Sequence, residues 1–376
     1  MSLKVFVFLM GYLCKGDFMI KKMLTTAFVA SQIASFCASA EVITEESVKK
    51  HVDYGDNSGH FLLTSTDENF SLGFKGLLQQ KTEVSYADKK TGVALTLPKA
   101  RLKLFGRAFH PNINYFVQTQ FEKSDHVSKK LIGPYKYEVL GTSYLQDYYL
   151  NLGMPSHSVH ARFGKFTMPF SRHYMVGGAQ LRSPVHSLAR QAFEITDNNK
   201  DIGVMIHSGF NIPIEYALAI VSNGVVGRLG YNHKGIDAFE LVDFRGGDAR
   251  FGVGVGGFLH TDYLSKEIND YRATLDFIFK LKNTSSHGEV YYANRNKIQS
   301  FGANIDVGYL LHKFEPVVHY SYLKPNLDIK DQAHEVTLGT NYYIYGHNLK
   351  AQPYFGMQHI KAANRFLGGV QLQFAF

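Results

Sequence analysis

Five side chains able to engage an anion stand within about thirty residues that lack any regular period: Arg172, His173, Arg182, His186 and Arg190. Strand-like alternation flanks them, with Val159, Ala161 and Phe163 before and Ile202, Val204 and Ile206 after. A loop of that length is functional or disordered. Here Phe170, Met175, Leu181, Val185, Leu188 and Phe193 lie among the charges, a mixture too apolar for a solvated linker. It reads as an ordered loop packed against the rest of the chain. His173 and His186 could ligate or titrate, with polar loop residues as the simpler reading. The 17 histidines show no HExxH and no paired metal spacing. No metal, cofactor or catalytic residue is therefore assigned. His319 and Ser321 have the residue types of a lipid-cleaving site but no identifiable Asn partner. Gly252, Gly254, Gly256 and Gly257 fall inside a strand rather than between strand and helix, which points to close neighbour packing and not to a phosphate cradle.

A second set of cations lies on alternating segments. Lys75, Lys99, Arg101, Lys103, Arg107, Arg162, Arg250, Arg272 and Lys280 share the polar parity of their strands, opposed by Glu122, Asp147, Asp276, Glu289, Asp306, Glu315 and Glu335. A ring of cations in a narrow lumen replaces part of an anion's hydration and raises its local concentration. Arg101, Lys103 and Arg107 on one strand make the best case for a basic ladder, and the loop arginines the best case for a constriction. The other reading, ordinary solvated charges offset by the acids, stays open.

The elements that must hold these residues are strands. In one segment Tyr271, Ala273, Leu275, Phe277, Phe279 and Leu281 alternate with Arg272, Thr274, Asp276 and Lys280. Such a polar inner row cannot be a packed soluble core. Phe70, Leu72, Phe74 and Leu78 alternate in the same way with Ser71, Lys75, Gln79 and Lys81. Strands are expected from residue 70, over 95–109 and 115–122, then near 144–152, 159–166, 201–207, 214–222, 235–244, 250–261, 271–282, 287–295, 298–311, 314–323, 334–344, 348–359 and 365–376. That makes sixteen. Their connections fall into two alternating classes. Short ones lie at 110–112, 153–158, 208–213, 245–249, 283–286, 312–313 and 345–347. Mostly longer ones lie at 123–143, 167–200, 223–234, 262–270, 324–333 and 360–364. In lipid every backbone group must be paired, so strands cross only as a closed sheet. The expected fold is an all-β transmembrane antiparallel β-barrel of about sixteen strands, short turns periplasmic, long loops outside, and the long third loop folded into the lumen. A lumen of that size passes water and small solutes. A soluble β-sandwich would leave the loop asymmetry unexplained.

The ends and the composition agree. A charged stretch from Met19 through Lys21 and Lys22, a short apolar core over 24–37 and the small-residue site Ala38-Ser39-Ala40 form an expected secretory signal peptide, 1–40, with 1–18 as an upstream extension. Residues 41–68 form a polar periplasmic lead-in and 69–376 the barrel. Both cysteines, Cys14 and Cys37, fall in the cleaved part, so a disulfide framework is excluded. That part also holds four of the 40 Lys and Arg and one of the 32 Asp and Glu, leaving 36 against 31, or +5. So small a balance gives no reason to expect nucleic acid. No run of eighteen apolar residues occurs beyond the signal segment. The 23 Tyr, 29 Phe and 34 Gly suit a transmembrane barrel, and the alternating final strand closes on Phe376. The expected partners are the lipid bilayer of a Gram-negative outer membrane, with its lipopolysaccharide, and small hydrophilic solutes or anions.

The segments ARFGKFTMPFS (161–171), KDIGVMIHSG (200–209), VGYLLHKFEPVVHYSYLKP (307–325), EVTLGTNYYIYGHNLK (335–350) and NRFLGGVQLQF (364–374), in that order and spacing, resemble the phosphate-selective porin O and P family. The likeness covers roughly 70–376. It implies sixteen strands, a third loop within the lumen, and a homotrimer whose pores select anions through inward arginines and lysines. Two function classes follow: a passive diffusion channel, anion- or phosphate-preferring, or a surface barrel serving mainly as an adhesin or structural membrane protein. Conductance in a planar bilayer separates them.

Overall fold

The computed structural model describes residues 48–53, 60–121, 145–154, 158–261, 268–360 and 363–376. The expected signal segment, the 123–143 connection and Glu122 lie outside the described residues. Two short strands come first, β1 (Val48–Asp53) and β2 (His60–Ser65). Sixteen more form the ring. They are β3 (Ser71–Ala87), β4 (Lys90–Ala108), β5 (His110–Gln120), β6 (Leu145–Met154), β7 (Val159–Thr167), β8 (Lys200–His207), β9 (Ile214–Val221) and β10 (Gly224–Asn232). Then follow β11 (Arg250–Thr261), β12 (Ile268–Leu281), β13 (Thr284–Arg295), β14 (Ile298–Tyr309), β15 (Phe314–Lys324), β16 (Ala333–Tyr345), β17 (Leu349–Ile360) and β18 (Ala363–Ala375). Each pairs antiparallel with the next, and β18 closes on β3 from Arg365 opposite Ala87 to Ala375 opposite Leu77. The closed sixteen-stranded antiparallel barrel read from the sequence is the observed fold.

Closure leaves no sheet edge, and the pleat sends alternate side chains to opposite faces. On β12 Tyr271 and Leu275 lie exposed outside while Arg272, Thr274, Asp276 and Lys280 are buried inside. The chain end is part of the closure. Gly76 N–H donates to the Phe376 carbonyl (2.7 Å) and Phe376 N–H to that of Gly76 (3.1 Å). A side chain at Gly76 would overlap the Phe376 ring, so glycine is required for that ring to lie flat on the wall.

The eighth ring strand differs from the sequence reading. Residues 235–244 are not a strand. β10 occupies 224–232, joined to β9 through Ser222 and Asn223, and 233–249 turns into the lumen. Ile236, Ala238, Leu241 and Val242 are buried there, so their apolar pattern records packing inside the barrel and not contact with lipid. The outward row of β10, Val225, Leu229 and Tyr231, is interrupted by Gly227, and Gly224 and Gly230 thin its inward row. The loop asymmetry is correspondingly weaker than expected. The end of the barrel carrying Phe376 holds this long insert, whereas the opposite end has tight turns at Asp88-Lys89 and Asn296-Lys297. Both residues of each turn have positive φ, the conformation whose twist matches that of antiparallel strands.

The connection over 168–199 lies inside the ring, carrying the short helices α1 (Arg172–Met175) and α2 (Leu188–Ala192). Its residues Met168, Phe170, Leu188, Ala189 and Phe193 pack on the inward side chains Ala219, Val226, Phe258, Tyr291, Ala293 and Leu323. Burial of one such large side chain contributes roughly 1.5–3 kcal/mol. Val176 and Leu181 pack on the insert through Ile236, Ala238 and Leu241. Gly256 is where the loop backbone comes closest, because a Cβ there would lie 1.9 Å from the Phe170 carbonyl oxygen. Close packing is thus the use of Gly252, Gly254 and Gly256, whereas a side chain at Gly257 would meet nothing nearer than 3.9 Å.

Candidate functional site

The loop is held to one wall by ion pairs. Arg172 Nε donates to Asp276 Oδ1 on β12 (2.8 Å), and Arg228 on β10 grips the same carboxylate with both terminal nitrogens. Arg182 Nη1 donates to Asp306 on β14 (2.5 Å), and its Nε lies 3.0 Å from Glu315 on β15. The other terminal nitrogen of Arg182 donates to the Leu241 carbonyl and to Ser285 Oγ. Arg172 also donates to the Ala238 carbonyl (2.9 Å), so these two arginines tie loop, insert and wall together. Ser171 Oγ (3.1 Å) and the His173 N–H (2.7 Å) both donate to Glu289 on β13. Burial, and the Arg190 guanidinium beside it, push the His173 imidazole well below the usual histidine range and keep it neutral. Near α2, Arg272 on β12 donates to the Phe193 (3.0 Å) and Glu194 (2.8 Å) carbonyls.

From that wall the loop crosses toward β3, β4, β17 and β18. The Gly178 carbonyl accepts from Gln79 (3.1 Å) and Lys99 (3.2 Å), that of Ala179 from Gln373 (3.0 Å), and that of Leu181 from Lys350 (2.8 Å). Beside it three successive cavities follow β4. The first, of about 620 Å³, includes Lys99, Arg101 and His186 in its lining. A middle one, of about 380 Å³, shares those three and adds Lys103, Arg162, Arg190 and Lys200. A third, of about 460 Å³, shares Lys103 and Gly177 with the middle one and adds Lys75, Arg250 and Lys280. Six lysines and arginines line the middle cavity against one carboxylate, Asp147, which Lys200 already binds at 2.6 Å. Arg101 Nε rests on an amide oxygen, Gln120 Oε1 (2.7 Å), and Arg162 and Arg190 lie over the Tyr149 and Tyr174 rings at 4.2 and 4.7 Å. Cations held by amides and ring faces keep their charge available to a solute.

No family model matches the chain, and no curated protein does. Solved structures do. OmpT of Vibrio cholerae, an outer membrane protein in its trimer form, superposes with a TM-score of 0.56 at 11% identity, over 82% of this chain and 99% of that one. OmpF of Salmonella typhi, in a complex with daunomycin, gives 0.53 at 9% identity, over 82% and 99%. The outer membrane channel DcaP of Acinetobacter baumannii gives 0.53 at 10% identity, over 83% and 99%. The fold is that of these outer-membrane barrels. At these identities the likeness is one of architecture.

Within the barrel the sequence candidates divide. Lys99, Arg101, Lys103, Arg162, Arg190 and His186 line the middle cavity, and Lys75, Arg250 and Lys280 the third. Arg250 is paired with Asp243 (2.6 Å), and Lys280 donates to the Asp237 carbonyl (3.1 Å). Arg107 lines none of the three. Arg172, Arg182 and Arg272 are buried as anchors, and His173 is buried against the wall, so these four face protein and not the passage. The constriction expected from Arg172, Arg182 and Arg190 together therefore keeps only Arg190, because lumen carboxylates claim the other two. Ser321 Oγ accepts the Ala189 N–H (3.0 Å), giving that hydroxyl a place in holding the loop. Sequence reasoning passed over Lys200, Lys350 and Arg228. Arg228 alternates with Leu229 and Tyr231 and could have been found by parity had 223–234 not been read as a loop.

Proposed function

We propose that the chain is an outer-membrane diffusion channel for small hydrophilic solutes that prefers anions, phosphate among them, and that it works as a homotrimer in the outer membrane of a Gram-negative cell. The observation that carries this is the segregation of charge. Asp276, Asp306 and Glu315 are taken up by Arg172, Arg228 and Arg182, while Lys99, Arg101, Lys103, Arg162 and Arg190 border the passage with no carboxylate partner among the described residues. The cations and acids that balance in a sequence tally do not balance along the route a solute takes. A lumen biased in this way concentrates anions and replaces part of their hydration with fixed donors. Selection is by potential and width alone, with no chemical step. The trimer form of the Vibrio cholerae structure supports the assembly, and the resemblance to the phosphate-selective family supports the preference.

The test is the zero-current potential of the purified channel in a planar bilayer under a KCl gradient. A potential displaced toward the chloride equilibrium value is expected, with phosphate current when phosphate replaces chloride. A displacement toward the potassium value would overturn the anion preference. Absence of conductance from folded barrels would overturn the channel itself and favour a surface barrel with binding loops.

A further inference from the structure

The carboxylates that hold the luminal loop are not equally provided for. Asp276 takes two guanidinium groups, and Asp306 and Glu315 share a third. Glu289 has no arginine or lysine partner among the described residues. Its Oε2 accepts the hydroxyls of Ser171 and Tyr291, and its Oε1 accepts the His173 N–H and lies 3.4 Å from His287 Nε2. One ring nitrogen from each of His173 and His287, together with a Glu289 carboxylate oxygen, fall within 4.8 Å of one another, all three side chains buried. Independently of that clustering, His173 Nδ1 is buried with no hydrogen-bond partner among the described residues, in an imidazole less than a tenth exposed.

We propose that His173, His287 and Glu289 form a binding site for a divalent ion of the Zn²⁺ class, which fastens the luminal loop to β13. Two imidazoles and one carboxylate are a three-ligand tetrahedral set, with water in the fourth position. Donors about 2.0–2.1 Å from a tetrahedral ion stand about 3.4 Å apart, the spacing already present between His287 and Glu289. The surrounding groups suit this use. Asp306 Oδ2 lies 3.0 Å from His287 Nδ1, an arrangement that puts the proton on that nitrogen and leaves the Nε2 lone pair for a metal. Ser171 and Tyr291 hold the far oxygen of Glu289 and so fix the direction of the near one. His186 borders the passage and its ring meets His173 edge-on at 6.2 Å, giving an ion a route inward. The ion would take the Nε2 lone pair of His287, the near oxygen of Glu289 and a ring nitrogen of His173, while Asp306 keeps the Nδ1 proton of His287. The site stands whether or not the channel prefers anions.

The test uses the full barrel in detergent with Co²⁺ as a spectroscopic stand-in for Zn²⁺. One Co²⁺ per chain, with the intense visible absorption of a four-coordinate ion and displacement by Zn²⁺, is the expected result. The absorption should disappear in His173→Ala and Glu289→Gln and persist in His160→Ala. Binding below one ion per chain, a weak six-coordinate spectrum, or an unchanged spectrum in His173→Ala would each overturn the site. Should the variants fail to form barrels, anomalous scattering from Zn²⁺-soaked crystals of the unmodified chain decides, since a peak between the three side chains supports the site and its absence removes it.

Discussion

On β12 to β15 each inward carboxylate has a partner: Asp270 with Arg272 and Arg295, Asp276 with Arg172 and Arg228, Glu289 with His287, Asp306 and Glu315 with Arg182. On β4 the relation is reversed. Lys99, Arg101 and Lys103 succeed one another along the inner face, and the one acid lining the middle cavity that all three share, Asp147, is held by Lys200. One wall spends its charge on holding a loop in place, and the other leaves its charge to the passage. What this teaches is that lumen charges cannot be summed. Their effect on a solute depends on which are already satisfied by protein.

The largest effect should come from breaking the first wall. Asp276→Asn leaves Arg172 and Arg228 buried without a carboxylate, and removal of one partner from a buried pair costs about 3–5 kcal/mol. Urea unfolding from micelles should register that loss, together with noisier single-channel current as the loop loosens. Lys103→Gln on the other wall should change stability by less than about 0.5 kcal/mol. Equal losses in the two variants would abolish the distinction between the walls.

Next in size is the converse experiment. One charge about 4 Å from an ion is worth roughly 1 kcal/mol in water. Replacing Lys99, Arg101 and Lys103 together by Gln should therefore lower the anion-to-cation permeability ratio by roughly tenfold, with a smaller loss in unfolding than Asp276→Asn, since of the three only Lys99 holds the loop, through the Gly178 carbonyl. An unaltered zero-current potential would show that the β4 cations are bystanders. Dividing the loop arginines gives a smaller and sharper contrast. Arg190→Gln should lower the ratio by roughly two- to threefold. Arg182→Gln should act on stability before selectivity, because its guanidinium faces Asp306 and Glu315 and not the solute.

The sequence made the barrel legible because lipid and water impose a period of two on every crossing, and β12 displays it without interruption. It misled at 235–244, where apolar residues satisfy an interior that composition cannot distinguish from a membrane. Lys99, Arg101 and Lys103 could be placed on the inner face by parity alone. The roles of Arg172 and Arg182 could not, because their partners Asp276 and Asp306 stand 104 and 124 residues further on and are brought near only by closure of the ring. Glu289 and His287 were readable as inward residues, but their meeting with His173 depends on where the loop settles.

The smallest effect should come from Arg107, which belongs to the same strand and the same face as the ladder yet borders none of the three cavities. Four residues separate it from Lys103, about 13 Å along an extended strand. The screening length is about 10 Å at 0.1 M salt and about 30 Å at 0.01 M. Arg107→Gln should therefore leave the zero-current potential unchanged at 0.1 M and lower the anion preference slightly at 0.01 M, whereas loss of Lys103 should be felt at both. If Arg107→Gln matched Lys103→Gln at 0.1 M, selection would have to arise from the summed field of the whole lumen, and the separation into a holding wall and a selecting wall would no longer account for it.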